Sequence, residues 1–214
     1  VGDVPGSSSQ GIFLSYRRED AGPYARSLQR DLSQRFPDAR VFMDLDSIEA
    51  GLDFTEVIQD ALDSSAVLVA LIGRQWATLT DEDGARRLDN PDDFVRFEVK
   101  TALEREMRVI PVLIDGARPL QQQELPPELQ KLARLNAHKL SWDRYQDDAD
   151  RLLDLIQRVV AAAVEQAEAY RQAEALVKTM VELGRVVSSS EELANLREAA
   201  NLKGARKRRW RGKE

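Results

Sequence analysis

The 214-residue sequence contains no cysteine. Disulfide staples, thiol nucleophiles and thiolate metal sites are therefore excluded, and a reducing cytoplasm is the expected setting. There is a single histidine, His138. It falls near a predicted strand and reads as structural, and a Ser-His-Asp triad has no candidate set. Long apolar runs are missing: none approaches the roughly 20 residues that span a bilayer, so no membrane span is expected. No basic segment followed by an apolar run opens the chain, so no signal peptide is visible. Neither G-x-x-x-x-G-K-[ST] nor G-x-G-x-x-G occurs. Nucleoside-triphosphate hydrolysis and the standard dinucleotide fingerprint thus lose their usual support.

What remains is an ordinary globular balance, 43% hydrophobic and 32% charged, in a chain long enough for one domain plus extra elements. The net charge of -6 is unevenly spread. Residues 203–214 (KGARKRRWRGKE) hold seven Lys/Arg and one Glu, a local +6, which leaves -12 for the rest. The body is acidic and the tail basic.

Residues 1–10 (VGDVPGSSSQ) have little to bury and read as a flexible leader. An alternation of strand and helix follows. GIFLS at 11–15 suits a buried strand. Tyr24, Leu28, Leu32 and Phe36 recur every four residues, which predicts a helix over 22–36. Residues 41–43 form a second strand, and 44–53 a loop containing Gly51. Helical spacing returns over 54–63. AVLVALI at 66–72 is an unbroken apolar run, as expected of a parallel strand covered on both faces. After a polar connection, Asp92 or Asp93 caps a helix that runs to about 106. VIPVLI at 109–114 is a fourth strand, and a short helix lies near 126–134. Residues 137–140 make a weak fifth strand, and a helix starts near Tyr145. The expected class is α/β: a five-stranded parallel sheet with helices on both faces. Ligands of such sheets bind outside the carboxyl ends of the strands. The stretches to inspect are therefore 16–20, 44–53, 73–98 and 115–119.

Near residue 160 the character changes. Val160, Val164, Ala167, Glu174, Val177 and Val181 fall near heptad spacing, with Arg171 and Glu174 interrupting the seam. A helix is expected to end at Gly184, and a second to start after the serines at 188–190. The segments read as domain 11–160, helical extension 161–203 and basic tail 204–214. The extension is either an oligomerisation arm or a helix packed on its own domain.

Six segments, in order, resemble TIR (Toll/interleukin-1 receptor) domains of bacteria. IFLSYRRED (12–20) resembles the first strand with its Ser-Tyr end. VFMDLDSIEAGLDF (41–54) resembles strand B with the BB loop, and DSSAVLVALIGRQW (63–76) resembles helix B into strand C. LDNPDDFVRFEVKTALE (88–104) resembles the helix that carries the family's glutamate. RVIPVLIDG (108–116) resembles strand D, and LSWDRYQDDADRLLDLI (140–156) the closing strand and helix. The resemblance implies a flavodoxin-like TIR fold over about 11–160.

It also implies one of two activities. One is an NAD⁺ glycohydrolase or cyclase, active when self-assembled, that takes NAD⁺ as substrate and needs no cofactor or metal. The other is a non-enzymatic signalling adaptor that binds other TIR domains. Phage defence or NAD⁺ depletion is the implied setting. The family's catalytic residue falls on Glu98, four residues after Phe94, where the family commonly has Trp. Positions i and i+4 share a helix face. The alternative for Glu98 is an exposed helix carboxylate paired with Lys100 or Arg105.

Substrate-binding expectations fall on Ser15, Tyr16 and Arg17 after the first strand, with Arg17 or Arg18 pairing the pyrophosphate or standing solvated. Phe13 reaches the pocket floor or packs in the core. Asp46 and Ile48 close over the substrate. Trp76 lines the adenine or nicotinamide side or covers the sheet edge. The Asp44/Asp46 pair lacks a third metal ligand and reads as turn-forming. The KRRWR run at 207–211 offers nucleic acid a basic surface with one stacking ring, but a solubilising tail is the favoured reading.

Overall fold

A computed structural model describes residues 11–43 and 53–182. The expectations for the leader, for Asp44, Asp46 and Ile48, for the second extension helix and for the basic tail lie outside the described residues. The chain divides into two compact units, Val1–Ala161 and Ala162–Glu214.

The first unit is a sheet of five strands: β1 (Gly11–Ser15), β2 (Val41–Met43), β3 (Ser65–Ile72), β4 (Arg108–Ile114) and β5 (His138–Leu140). Their order across the sheet is β2-β1-β3-β4-β5, and every pairing is parallel. This is the flavodoxin-like order. The helices are α1 (Arg18–Arg35), α2 (Phe54–Asp63), α3 (Phe94–Glu104) and α4 (Tyr145–Glu182). The segment expected to form a short helix near 126–134 is a 3₁₀ helix, Pro127–Arg134.

Strand side chains alternate between two cores, as a period of two requires. Val67, Val69 and Leu71 of β3 join Ile12 and Leu14 of β1 in one core, closed by Leu28 and Leu32 of α1 and Leu152 and Ile156 of α4. Leu68, Ala70 and Ile72 join Phe13 in the other, closed by Ile58 and Leu62 of α2, Val95 and Val99 of α3, and Leu129 and Leu132 of the 3₁₀ helix. Strand β3 is therefore apolar from Ala66 to Ile72 because both of its faces are covered.

Helix α1 begins at Arg18, ahead of the expected start at residue 22. Glu19 and Asp20 favour its N-terminal end electrostatically. The carbonyl of Arg17 already accepts from Ala21 N at 2.8 Å, so the first turn is closed before Pro23 is reached. Gly22-Pro23 reads as a breaker, but a proline in the second turn removes only one hydrogen bond. Gly11 has a tighter constraint. A Cβ there would lie 2.6 Å from the Ser64 carbonyl oxygen and 2.8 Å from the Phe42 ring, so the start of β1 admits no side chain.

Of the second unit, residues 162–182 are described, as the last turns of α4. Leu176 is exposed there. No helix among the described residues is long and apolar enough to cross a membrane.

Candidate functional site at the ends of β1 and β3

The helices following β1 and β3 pack on opposite faces of the sheet: α1 with one core, α3 with the other. The connections diverge at the carboxyl ends of these two neighbouring strands, which is where α/β sheets open a crevice. Residues 15–17 leave β1 at this point, and 73–76 leave β3.

Arg17 lies here, against expectation, as one of the largest fully buried side chains of the molecule, at 1% exposure. Its Nη1 and Nη2 donate to the two carboxylate oxygens of Asp93 at 2.9 and 3.1 Å, and its Nε donates to the carbonyl oxygen of Trp76 at 3.0 Å. The guanidinium carbon also sits 5.9 Å from the Trp76 ring centre, within cation–π range. The expectation for Arg17 was a pyrophosphate partner or solvent; in this structure the partner is an internal carboxylate. Its fork is matched to a carboxylate inside the protein, the geometry that guanidinium satisfies best.

Asp93 is the N-cap of α3: its Oδ1 accepts from Arg96 N at 2.9 Å. Its Oδ2 also lies 3.4 Å from Arg87 Nε, and Arg87 donates in turn to Glu19 at 3.0 Å. Arg96, just inside the helix, is bound by Glu128 and by the carbonyls of Leu88 and Asp89. Asp20, in the first turn of α1, takes the Gln75 N–H at 3.1 Å. Its carboxylate fills the space a Cβ at Gly73 would need, with the nearest atoms at 2.4 Å. Two residues near the start of α1 thus hold the segment leaving β3, one by its carbonyl and one by its N–H.

Glu98 lies one turn beyond Phe94 on α3. It is 7% exposed and falls on the buried stripe with Val95, Val99 and Ala102. Nearby, Lys100 lies 3.9 Å from Glu104, and Arg105 pairs with Asp63. Phe94 is half-buried, and Phe54, the first residue of α2, meets it edge-on with ring centres 4.8 Å apart. Phe54 also packs edge-on to Phe97 at 6.3 Å.

The remaining expected residues divide. Ser15 is buried at the carboxyl end of β1, and its Oγ has no hydrogen-bond partner among the described residues. Tyr16 is half-buried and packs against the α1/α4 core. Phe13 is 1% exposed and stacks on Phe42 at 6.5 Å, the core alternative of the two expected for it. The Trp76 ring is likewise 1% exposed, inside the α2/α3 core rather than along a rim, and its Nε1 has no hydrogen-bond partner among the described residues. The polar residues around Trp76 suggest a surface position, but Leu88 and Val95 share its core. Sequence reasoning missed the joining of Arg17 to Asp93, the role of Arg87 and the contact of Phe54 with Phe94. Only the hydrophobic phase of α2, which starts at Phe54, hinted at the last. Among the described residues no cluster of His, Asp or Glu is arranged to hold a metal ion.

Residues 12–153 match the family model described as TIR domain. The chain is 26% identical over 137 residues to the NAD(+) hydrolase tir-1 of Caenorhabditis elegans, an alignment that covers 64% of this chain and 13% of that protein. The chain thus spans about an eighth of the length of this relative. Among solved structures it is similar to the TIR domains in the structure of the activated Roq1 resistosome directly recognizing the pathogen effector XopQ. That match has a TM-score of 0.48 and 16% identity, over 69% of this chain and 97% of that one.

Proposed function

This chain belongs to the TIR domain family, and on that premise we propose that it is an NAD⁺ glycohydrolase or cyclase whose catalytic residue is Glu98. The observation that carries the proposal is the burial of Glu98 on the inward stripe of α3, one turn beyond the half-buried Phe94. A carboxylate that only decorated the helix would stand outward with Glu104.

The chemistry asks little else of the protein. Breaking the bond between nicotinamide and ribose builds positive charge on the sugar, in an oxocarbenium-like transition state. Nicotinamide leaves as a neutral molecule, so no general acid is required. A carboxylate beside the ribose stabilises the developing charge and accepts hydrogen bonds from its hydroxyls. It also orients the attacking water, or another hydroxyl of the substrate when the product is cyclic. This economy suits a chain with one histidine and no cysteine.

Three further observations support the reading. The relative in Caenorhabditis elegans is named an NAD(+) hydrolase. Phe94 and Phe54 offer aromatic surface beside α3 for a flat ring to pack on. Among the described residues the buried Ser15 Oγ, at the end of β1, and Trp76 Nε1, four residues after β3, have no hydrogen-bond partner, and a buried polar group left unsatisfied costs about 1–3 kcal/mol. We propose in addition that the active form is a self-assembly of TIR domains.

The test is nicotinamide release from NAD⁺ by the full chain, over a range of protein concentrations, with product separation. Wild type should turn over, more efficiently as concentration rises, and Glu98→Ala and Glu98→Gln should not. Full activity in Glu98→Gln would remove Glu98 from the chemistry. Absence of turnover at every concentration would favour the adaptor alternative, in which the domain acts only by binding other TIR domains.

A further inference from the structure

We propose that Arg17 is a positioning residue: it fastens the ends of β1 and β3 to the first turn of α3 and thereby sets where the Glu98 carboxylate stands. The proposal rests on the NAD⁺-cleaving reading and assigns Arg17 no contact with substrate.

The Arg17 guanidinium ties separate segments together. Three of its N–H groups are aimed at two separate segments: the carbonyl of Trp76, four residues after β3, and the carboxylate of Asp93, which begins α3. Arg17 itself follows β1 by two residues. One side chain therefore joins three segments, with partners 59 and 76 residues away in sequence. Its side chain is 0% exposed and that of its partner 3%, so water neither screens the pair nor competes for it.

Asp93 passes this hold on to the helix. The oxygen that accepts from Arg17 Nη2 also accepts the Arg96 N–H as the cap of α3. The cap decides where the first turn begins. Glu98 comes five residues later, about 7.5 Å along the axis at the rise of an α-helix. Over that distance a helix is stiff, and a displacement at the cap arrives at the carboxylate.

A purely stabilising role explains the pair less well. Two buried charges lose their hydration, and replacing such a pair with apolar groups of similar volume is often neutral or stabilising. What the fork supplies that an apolar contact does not is a fixed direction and register. Catalysis by a carboxylate is sensitive to such placement, because a misplacement of about 1 Å can cost roughly 100-fold in rate.

The experiment uses the full chain and the double variant Arg17→Met/Asp93→Asn. It removes both charges, keeps the volume of the arginine stem and leaves a side-chain amide oxygen to cap α3. Arg17→Lys is the conservative companion, retaining charge without the fork. kcat and KM for NAD⁺ are measured with thermal unfolding, and amide hydrogen exchange is followed across residues 94–98. The expected result is a folded double variant with kcat lowered about 10- to 100-fold, KM changed less than about threefold and exchange at the start of α3 accelerated. Arg17→Lys should recover part of the lost kcat. A double variant with wild-type kcat and unchanged exchange overturns the proposal. So does a rise in KM at constant kcat, which would make Arg17 a ligand-binding residue. If the wild type does not cleave NAD⁺ and the double variant still loosens α3, the fastening stands and the NAD⁺ reading fails. If Asp93→Asn alone fails to fold, the double variant still carries the test, because it leaves no buried charge unpaired.

Discussion

The two faces of the sheet share the same strands, yet they bury different chemistry. On the α1/α4 face the core is largely aliphatic, with Leu28, Leu32, Val67, Val69, Val112 and Ile156 at 0% exposure. The buried charge at the start of α4, Asp148, serves its own neighbourhood. It accepts the Ser141 N–H at 3.0 Å and pairs with Arg144 and Arg151, all within seven residues. On the α2/α3 face, Asp93 and Glu98 are buried close to Phe94, and Asp93 meets a guanidinium from 76 residues away. One face therefore satisfies its buried carboxylate locally, and its long-range polar contact, Tyr145 OH to Asp31 at 2.8 Å, is only partly buried. The other spends buried charge on relations between distant segments, which is where geometry rather than stability is obtained. A reactive carboxylate is better placed on the second kind of face, because its position is then determined by several elements at once.

The largest expected effect separates the faces outright. Glu98→Gln should lower NAD⁺ turnover at least about 100-fold while leaving the unfolding midpoint near that of wild type. Leu28→Ala, on the opposite face, should do the reverse. It should cost about 2–5 kcal/mol in chemical denaturation, the usual range for a buried leucine, with activity per folded molecule retained. If Leu28→Ala instead lowers kcat as much as Glu98→Gln does, the faces are not functionally distinct.

A third test concerns the buried carboxylate of the α1/α4 face. Burial pulls the Asp148 carboxyl upward, but the Ser141 N–H and the Arg151 and Arg144 guanidinium groups outweigh it and hold it below the ordinary carboxylate range. A depressed folded-state value means that this stabilisation is present above the unfolded-state pKa and is lost as pH falls through the folded one. Asp148→Asn should therefore cost about 1–3 kcal/mol near pH 7. The difference from wild type should shrink as pH drops below about 4, with kcat per folded molecule unchanged throughout. A stability difference that is flat with pH would show that the charge of Asp148 does not matter. The smallest effect belongs to the outward side of α3. Lys100→Ala breaks a half-exposed contact with Glu104 at 3.9 Å and should change stability by less than about 0.5 kcal/mol. A larger loss in urea titration would mean that the exposed stripe of α3 carries more of the structure than its burial suggests.

Much of the fold was legible because it is written in local periodicity. The unbroken run at 66–72 announced a doubly covered strand, and the pair Asp92-Asp93 announced a cap for α3, which the structure assigns to Asp93. The Phe94–Glu98 spacing was legible for the same reason, since two residues one helical turn apart face alike whatever surrounds them. The early start of α1 was hidden by Gly22-Pro23. These residues look like a break, although the turn before them closes on the Arg17 carbonyl.

The order of strands and helices and the shared helix face of Phe94 and Glu98 followed from the sequence by itself, because each depends on residues within a turn or a strand length of one another; that this face turns inward did not. The partner of Arg17 did not. With 31 Lys/Arg and 37 Asp/Glu in the chain, no spacing rule selects Asp93 for Arg17. The same holds for the burial of the Trp76 ring among side chains from other elements. Those choices were made by tertiary structure, when a parallel sheet brought the ends of β1 and β3 side by side and left one buried space that a forked cation and a capping carboxylate both fit.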